Sequence, residues 1–376
     1  MSEARPRVAL DVSAVPARPA GAGIYVLRLV EALAATDQVD LELVAAVGDR
    51  RRWEHAAPAA LVHPVAPGRR PVRLVWEQAQ APALAQRLGD LWHGPHYTMP
   101  LRADVPTVVT IHDLTFFDHP EWHERAKVVY FRKMIRASAE RADTLVCVSQ
   151  HTADRLRTVL APTAPVEVIT HGVDHRRFHP GDEDDLAHLA ALGVRPPFVA
   201  FTGTLEPRKN VPALVRAVAR LTPSHPELQL VLAGHRGWGG AEVDASVAAS
   251  ALGERVVQLG YVDDQVLPAL YRQAAVVAYP SLEEGFGLPA LEALACGAVV
   301  VTSSGSAMEE VVGDAALLVR PGDEAGLTEA IEALVDGGHE LSQLRRAGPL
   351  VADGHTWERC ALHQVKVYRR VLSGRM

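Results

Sequence analysis

The chain has 376 residues, 48% of them hydrophobic, and this length predicts two domains of ordinary size with well-filled cores. Its three cysteines are scattered and its longest apolar runs are too short to cross a bilayer, which excludes a disulfide framework, a zinc site and a membrane span. The net charge of −7, with no basic stripe interleaved with aromatic residues, excludes a nucleic-acid-binding protein.

Charge is distributed unevenly along the chain. Residues 1–180 contain 22 Lys and Arg against 20 Asp and Glu, whereas the remainder contains 16 against 25. A basic first half favours contact with a lipid phosphate or a membrane surface, although an ordinary solvated surface also accounts for so small an excess. Arg5, Arg7 and Asp11 interrupt the apolar segment that a signal peptide needs. We expect a cytoplasmic protein, with peripheral contact at the inner membrane face as a further expectation.

The first predicted elements are a strand at residues 8–12 and a helix at residues 24–35, with a glycine turn at residues 21–23 between them. Strand, glycine turn and helix together form an anion site at the carboxyl end of a strand. A dinucleotide-binding fingerprint would need a third glycine at position 26, where this chain has Val26. Gly23 is therefore a candidate for phosphate contact, or a glycine that only lets the helix begin close to the strand.

A later predicted strand, at residues 107–113, ends in His112 and Asp113. Ligands bind at the carboxyl ends of parallel strands, so His112 is a candidate site residue. An aromatic-rich segment at residues 116–123 follows, and it could cover a sugar or a lipid. The alternative is that His112 has only a structural role and that the aromatic residues only pack a loop.

The segment at residues 178–185 contains Pro, Gly and four acidic residues and is predicted to be the linker between the two domains. Asp182 and Asp184 have the spacing of a metal-binding pair. They follow no strand, however, and lie in an acidic turn, so we predict solvated charges there and no metal site.

The second domain begins with a predicted strand at residues 198–203, and Arg208 and Lys209 follow before a helix from Val211. Two adjacent cations between a strand and a helix N-terminus can bind a diphosphate, because fixed N–H groups and positive charge then meet at one place. The alternative is two solvated cations on a turn.

The segment from Pro280 to Glu292 is the most informative part of the chain. A buried strand at residues 274–279 precedes it, and a helix with Pro289 in its first turn follows. Between strand and helix the chain reads Glu284, Gly285, Phe286, Gly287 and Leu288. The glycines allow backbone N–H groups to face an anion, and Glu292 lies about one turn into the helix. Two separated carboxylates around free amides predict a nucleotide-sugar site, although turn glycines and an acid favoured by the helix dipole are the alternative.

Residues 281–297 resemble the signature of the retaining glycosyltransferases of family 4, in which two glutamates with seven residues between them surround Gly-Phe-Gly. The resemblance continues in residues 73–78, Arg-Leu-Val-Trp-Glu-Gln, and in residues 171–174, where His171 replaces the usual asparagine. It implies the GT-B fold, with two doubly wound, Rossmann-like α/β domains that face a cleft. Residues 1–180 would bind the acceptor, residues 196–355 would bind the nucleotide-sugar, and a helix at residues 356–376 would cross back to the first domain.

The resemblance also implies roles for individual residues. Lys209 matches the lysine of the family, whereas Thr204 replaces its usual arginine and Arg208 would supply the missing charge. Glu284 would contact the donor sugar, Glu292 the ribose, and His112 the region near the reacting carbon. The remaining donor contacts would come from the glycine loop and from main chain, at Gly23, Val262, Gly285, Phe286, Gly287 and Leu288.

Residues 201–210 and 112–117 are most similar to mannosyltransferase-type members, which favours GDP-mannose as donor and a saccharide or lipid-linked acceptor. UDP-glucose and UDP-N-acetylglucosamine stay open as donors, and no separate cofactor and no metal are expected. Two other functions also stay open, a non-catalytic subunit that binds nucleotide-sugars and a sugar-nucleotide epimerase of the same architecture.

Overall fold

The computed structural model describes residues 5–181, 185–263, 265–338 and 340–374. The chain divides into two compact units, unit 1 with Met1–Gly172 and Trp357–Met376, and unit 2 with Val173–Thr356. The predicted domain end at residue 180 lies later than this division. Val173 already belongs to unit 2, because its amide donates to the carbonyl of His355 at 3.1 Å. Asp182 and Asp184, the predicted solvated pair, lie outside the described residues.

Unit 1 is built on a parallel sheet that has seven strands among the described residues, in the order β3-β2-β1-β4-β5-β6-β7. The strands are β1 (Arg7–Asp11), β2 (Asp40–Ala46), β3 (Leu61–Ala66), β4 (Leu91–Gly94), β5 (Thr107–Ile111), β6 (Thr144–Cys147) and β7 (Val166–Val168). The helices between them are α1 (Ala22–Thr36), α2 (Arg50–Ala56), α3 (Arg70–Ala79), α4 (Ala81–Leu88), α5 (Thr115–Asp118), α6 (Arg125–Arg141) and α7 (Gln150–Leu160), with a 3₁₀ turn at Pro120–Trp122.

The sheet of unit 1 is buried on both faces. Val8 and Leu10 on β1 pack into one hydrophobic core, whereas Ala9 between them packs into the other. Successive side chains of a strand point to opposite faces, so a strand that is apolar at every position needs helices on both sides. This requirement explains the uninterrupted apolar runs in the sequence and the doubly wound arrangement.

Unit 2 has the same plan, with a parallel sheet in the order β10-β9-β8-β11-β12-β13. Its strands are β8 (Phe198–Thr202), β9 (Gln229–Ala233), β10 (Val256–Gly260), β11 (Val276–Tyr279), β12 (Val300–Ser303) and β13 (Ala316–Val319). Its helices are α8 (Asp185–Ala191), α9 (Val211–Arg220), α10 (Gly240–Ala249), α11 (Val266–Gln273), α12 (Leu288–Ala295), α13 (Ala307–Val312), α14 (Glu324–Val335) and α15 (Leu341–Asp353). In the described part of unit 2, 3₁₀ turns lie at Pro207–Lys209, Gly253–Arg255 and Gly313–Ala315.

The last helix, α16 (Trp357–Ser373), belongs to unit 1 although it follows unit 2 in the chain. It packs against α1 and buries Cys360, Val365 and Tyr368 in the core of unit 1. The hydroxyl of Tyr368 lies 2.7 Å from Nδ1 of His93 on β4, which ties the helix to the sheet. No helix in the described part of the chain has both the length and the apolar character required to cross a bilayer.

Candidate active site

The sheet of unit 2 reverses its winding direction between β8 and β11. These strands are neighbours in the sheet, with Val199 paired to Val276, although β9 and β10 lie between them in the chain. In doubly wound sheets, the crevice outside the carboxyl ends of the strands at such a switch point is where ligands bind. The segments that leave β8 and β11 at this point contain Arg208, Lys209 and the Glu284–Glu292 segment.

The two segments are held together by their backbones. The chain after β8 forms the 3₁₀ turn Pro207–Lys209, and Asn210 then takes a left-handed conformation before α9 begins. The amide of Leu282, after β11, donates to the carbonyl of Arg208 at 2.7 Å. This bond fixes the adjacent cations beside the segment that contains Glu284.

Glu284 is the centre of the charged cluster. One of its carboxylate oxygens accepts from the Lys209 ammonium and, at 2.9 Å, from the hydroxyl of Ser281. The other accepts from the Arg208 guanidinium at 2.5 Å. Arg208 also donates to Glu206 at 2.8 Å. The structure thus brings the predicted Arg208, Lys209 and Glu284 together, and it adds Glu206 and Ser281, which the sequence analysis missed.

The cluster is shielded from solvent, since Glu284 is 6% exposed and Lys209 is 8% exposed. Burial raises the pKa of the Glu284 carboxyl, but the charges of Arg208 and Lys209 outweigh it and lower the pKa to about 2. Burial and the neighbouring Arg208 lower the pKa of Lys209, and the Glu284 carboxylate opposes this shift. The carboxylate therefore stays ionised and keeps both cations in place.

The helix that follows this cluster opens at a glycine that no other residue could replace without strain. Gly287 precedes α12 with a φ of 110°, and a Cβ atom there would lie 3.0 Å from Cγ of Met308. Pro289 occupies the first turn as predicted. The first N–H groups of a helix have no intrahelical acceptor, so the amides that begin at Leu288 form the positive end of α12 beside the cluster.

Glu292 lies four residues into α12 and is buried. Its carboxylate accepts from the hydroxyl of Tyr271 at 3.3 Å. The hydroxyls of Tyr271 and Tyr279 each lie within 2.8 Å of Thr202 Oγ1, at the end of β8. This hydroxyl network, which joins β8, α11, β11 and α12 beside Glu292, was also missed by the sequence analysis.

Val262, one of the predicted donor contacts, follows β10 in the same unit. It is half-buried, and Gly260 ahead of it takes a φ of 65°. The strand ends at Gly260. Val262 therefore lies in the loop at the carboxyl edge of the sheet.

His112 lies in unit 1, at the first position after β5, and is buried. Its Nε2 lies 2.8 Å from the carbonyl of Pro95, so this nitrogen must be the protonated one that donates. Burial lowers the pKa of His112, although the Pro95 carbonyl and Asp113 oppose this shift. The imidazole is consequently neutral at neutral pH and offers Nδ1 as an acceptor.

Gly23 lies in the first turn of α1 and not in a turn before the helix, because α1 begins at Ala22. Its amide donates to the carbonyl of Ala20 at 3.0 Å, and a Cβ atom at Gly23 would lie 3.2 Å from Pro19. The glycine thus serves close packing against the proline-rich loop, and its amide is already engaged. The predicted loop position of Gly23 is therefore wrong.

His171, the departure from the family pattern, has a defined place in unit 1. Its ring stacks on Tyr25 with centroids 4.7 Å apart and on Trp357 with centroids 5.8 Å apart. The rings of His112 and Tyr25 also meet in a T-shaped arrangement, with centroids 5.1 Å apart. His171 therefore belongs to the aromatic packing that surrounds His112.

Two family models together match most of the chain. The model described as "Glycosyltransferase Family 4" matches residues 19–177, and the model described as "Glycosyl transferases group 1" matches residues 190–350. The second match contains the whole charged cluster and α12.

Curated proteins with similar sequences include sugar transferases. The chain is 32% identical over 307 residues to O-antigen chain mannosyltransferase B of Escherichia coli, covering 79% of this chain and 78% of that protein. It is 33% identical over 237 residues to D-inositol 3-phosphate glycosyltransferase of Rhodococcus opacus, covering 61% of this chain and 53% of that protein. It is 32% identical over 249 residues to MMP alpha-(1->4)-mannosyltransferase of Mycolicibacterium hassiacum, covering 65% and 58%. The chain thus spans little more than half of the last two relatives.

Solved structures with the same fold include sucrose-phosphate synthase from Thermosynechococcus elongatus, with a TM-score of 0.80, 24% identity and coverage of 98% of this chain and 100% of that one. The Anabaena protein HepE in complex with UDP-glucose has a TM-score of 0.78 at 20% identity, covering 98% and 100%. These similarities match the predicted GT-B fold, with two parallel-sheet, Rossmann-like domains.

Proposed function

This chain belongs to glycosyltransferase family 4 and has the GT-B fold, and we propose that it transfers mannose from GDP-mannose to a saccharide or lipid-linked acceptor with retention at the anomeric carbon. Unit 2 would bind the donor and unit 1 the acceptor. The observation that carries the proposal is the buried cluster of Arg208, Lys209 and Glu284 at the switch point between β8 and β11.

The cluster is suited to stabilise a leaving diphosphate. As the glycosidic bond of the donor breaks, negative charge grows on the phosphate oxygens. Arg208 and Lys209 are already fixed by Glu284, so they can meet this charge without the cost of reorganisation. The N-terminus of α12, with the amides of Gly287 and Leu288, adds a positive partial charge. Because these groups supply the compensating charge themselves, the proposed reaction requires no metal.

The two glutamates would have separate roles. Glu284 has about four acceptor positions on its carboxylate, and Arg208, Lys209 and Ser281 occupy three of them, which leaves about one for a hydroxyl of the donor sugar. Glu292 would accept from the ribose hydroxyls, with Tyr271 holding its carboxylate in place. His112, neutral and fixed by Pro95, would act near the reacting carbon through a hydrogen bond and not as an acid.

The choice of donor and acceptor rests on the relatives. Two of them, at 32% identity, have mannosyltransferase in their names, and one of these names also specifies the O-antigen chain. The name of a third relative, at 33% identity, gives D-inositol 3-phosphate as the substrate. This cyclitol phosphate is the second candidate acceptor, although that relative is matched over only 53% of its length.

A thermal-shift screen of GDP, UDP, ADP and their sugars tests the donor. We expect GDP and GDP-mannose to raise the melting temperature most, because ligands that bind the native state stabilise it. Preferential stabilisation by UDP-sugars would replace mannose by glucose or N-acetylglucosamine in the proposal. Absence of stabilisation by every nucleotide would refute the donor site.

Mass analysis of the products separates the remaining functions. A glycosyltransferase releases GDP and increases the mass of the acceptor by one hexose. An epimerase would leave an isomeric sugar or sugar nucleotide with no glycosylated acceptor. A non-catalytic subunit would bind the donor, and the donor would be recovered unchanged after incubation with either class of acceptor.

A further inference from the structure

Tyr25, a buried residue of α1, lies among the aromatic rings that surround His112. Its ring meets the imidazole of His112 with centroids 5.1 Å apart and an interplanar angle of 79°. The same ring stacks on His171, with centroids 4.7 Å apart. Tyr25 is 1% exposed, so protein atoms surround its ring. The phenol ring therefore forms one wall of the space that the His112 imidazole occupies.

Hydrogen bonds fix the position of Tyr25. Its hydroxyl lies 3.2 Å from Oγ1 of Thr110 on β5. That oxygen also lies 2.9 Å from Nε2 of His93 on β4, and Nδ1 of His93 lies 2.7 Å from the hydroxyl of Tyr368 on α16. All four side chains are buried, so each bond satisfies groups that would otherwise lose their hydrogen bonds to water. This chain of polar groups joins α1 to β5, β4 and α16.

The imidazole of His112 depends on its neighbours for its orientation. The described residues give its ring one hydrogen bond, from Nε2 to the carbonyl of Pro95 at 2.8 Å. One bond does not fix the plane of the ring, because the torsion that turns a histidine ring is soft. Among the described rings around His112, that of Tyr25 is nearest, and those of Tyr97 and His96 follow at 5.5 and 5.7 Å.

Tyr25 and His112 are also tied to the same strand. Thr110, which contacts the Tyr25 hydroxyl, lies on β5 only two residues before His112. A displacement of Tyr25 would therefore change the wall of the His112 site directly.

We propose that Tyr25 is a positioning residue, whose ring holds the His112 imidazole in the one orientation that keeps Nδ1 available as an acceptor. The proposal rests on the proposed function, because it takes His112 to act near the reacting carbon of the donor. Tyr25 affects transfer through His112 and not by contact with substrate. A displacement of about 1 Å in a group that acts near the reacting atoms is enough to slow a reaction by about 10²-fold.

A double-mutant cycle tests whether Tyr25 acts through His112. The proteins are wild type, Tyr25→Leu, His112→Ala and the double variant. The measured quantity is kcat for release of GDP from GDP-mannose, with methyl α-mannoside as the acceptor. We expect Tyr25→Leu to lower kcat by about 10- to 100-fold with little change in KM for the donor. In the His112→Ala background the same substitution should change kcat by less than about twofold, because the group that it positions is absent.

Two further variants separate positioning from destabilisation. Tyr25→Phe keeps the ring and removes only the hydroxyl, so it should lower kcat less than Tyr25→Leu does. Leu29→Ala removes another fully buried side chain of α1 in the same core. It should lower the melting temperature, because it leaves a cavity, and it should leave kcat unchanged.

NMR of protein labelled with ¹⁵N-histidine measures the orientation of the ring without substrate. His112 should show a single tautomer, with its proton on Nε2, in wild type, Tyr25→Phe and Leu29→Ala. In Tyr25→Leu the two ring nitrogens should shift toward averaged values, because the imidazole can then turn and exchange its tautomers. The signals of His112 are identified by their absence in His112→Ala.

Three kinetic outcomes would overturn the proposal. They are wild-type kcat in Tyr25→Leu, an equal loss from this substitution in the His112→Ala background, and a loss in Leu29→Ala as large as that in Tyr25→Leu. Failure of the proposed function is distinct, because wild type would then release no GDP. The NMR comparison would still decide the role of Tyr25, since unchanged His112 signals in Tyr25→Leu would overturn it.

Discussion

Two cations share one carboxylate at the centre of the site. Arg208 and Lys209 both contact Glu284, and Arg208 also contacts Glu206, so the four side chains are close to neutral as a group. A buried ion pair of this kind contributes little net stability, because desolvation of the charges offsets their attraction. The arrangement is better explained by function, since it holds two donors ready for an anion.

Lys209→Ala should lower turnover by about 10² to 10³-fold, the loss that follows removal of one donor to developing negative charge. Folding should persist because Arg208 still pairs with Glu284. The measurement is kcat with donor and acceptor at saturation, beside a circular dichroism melt.

Lys127→Ala is the matched control, since Lys127 forms a lysine–glutamate pair with Glu124 at the surface of unit 1. It should leave turnover within twofold of wild type, as surface pairs contribute about 0–1 kcal/mol to stability. Unchanged turnover in Lys209→Ala would contradict the role of Lys209 in the leaving-group site.

His93 should make unit 1 sensitive to acid. It is fully buried, and burial, followed by repulsion from His112 when that ring is protonated in acid, lowers the pKa of His93 to about 3. Between about pH 6.5 and pH 3 the unfolded chain therefore binds a proton at His93 that the folded chain does not bind. As the pH is lowered through this window, the free energy of unfolding decreases by about 1.4 kcal/mol per pH unit for one such histidine.

Urea unfolding of wild type and His93→Gln at pH 7.5 and pH 5.5 isolates this contribution, because other titrating groups cancel in the comparison. Wild type should lose about 1 kcal/mol more than the variant between the two pH values. His55→Gln, at an exposed position, should behave as wild type does. An equal loss in wild type and His93→Gln would show that His93 does not titrate in this way.

At the scale of elements, the alternating strands and helices were predictable because apolar runs and turn residues are local signals. The Gly287–Pro289 opening of α12 is an example, since the sequence shows both a glycine, which permits the positive φ found there, and a proline suited to the first turn. The partners of Glu284, Glu292 and Arg208 were not predictable, because Ser281, Tyr271 and Glu206 are ordinary in their local contexts. The start of α1 at Ala22 was also missed, because turn residues do not specify how the proline-rich loop folds back on Gly23.

Gly287→Ala should destabilise the protein and weaken donor binding. A side chain at this φ is strained by about 1–2 kcal/mol, and Met308 must also move to make room. Gly305→Ala is the control, because Gly305 has a φ of 76° but nothing within 4 Å of its Cβ position. Thermal melts and GDP titrations should show a larger loss for Gly287→Ala, and equal effects of the two variants would contradict the close contact with Met308.

The buried pair Asp185–Arg272 should fix α8 on α11. Arg272 donates twice to the Asp185 carboxylate, at 2.6 Å each, and the two side chains are 3% and 7% exposed. Asp185→Ala should cost about 3–5 kcal/mol, because it leaves a buried guanidinium without its carboxylate. Glu324→Ala breaks the exposed pair with Arg216 between two other helices, and it should cost about 1 kcal/mol or less. Equal losses in urea unfolding would contradict the difference in burial.

At the scale of the whole molecule, each unit has its own doubly wound sheet, and the candidate residues of each lie at or near the carboxyl ends of its strands. The alternation of elements was sufficient to predict two such domains. The position of the division was not predictable to the residue, because it depends on the pairing of Val173 with Thr356, which are far apart in the sequence.

The central claim is that the diphosphate of a nucleotide-sugar lies on the Arg208–Lys209–Glu284 cluster at the switch point of unit 2. Hydrogen–deuterium exchange with and without saturating GDP measures this most directly, because it reports which backbone amides the ligand protects. Protection concentrated in residues 203–211 and 282–292 is the predicted result. Stabilisation of the protein by GDP with protection only elsewhere in the chain would contradict the claim.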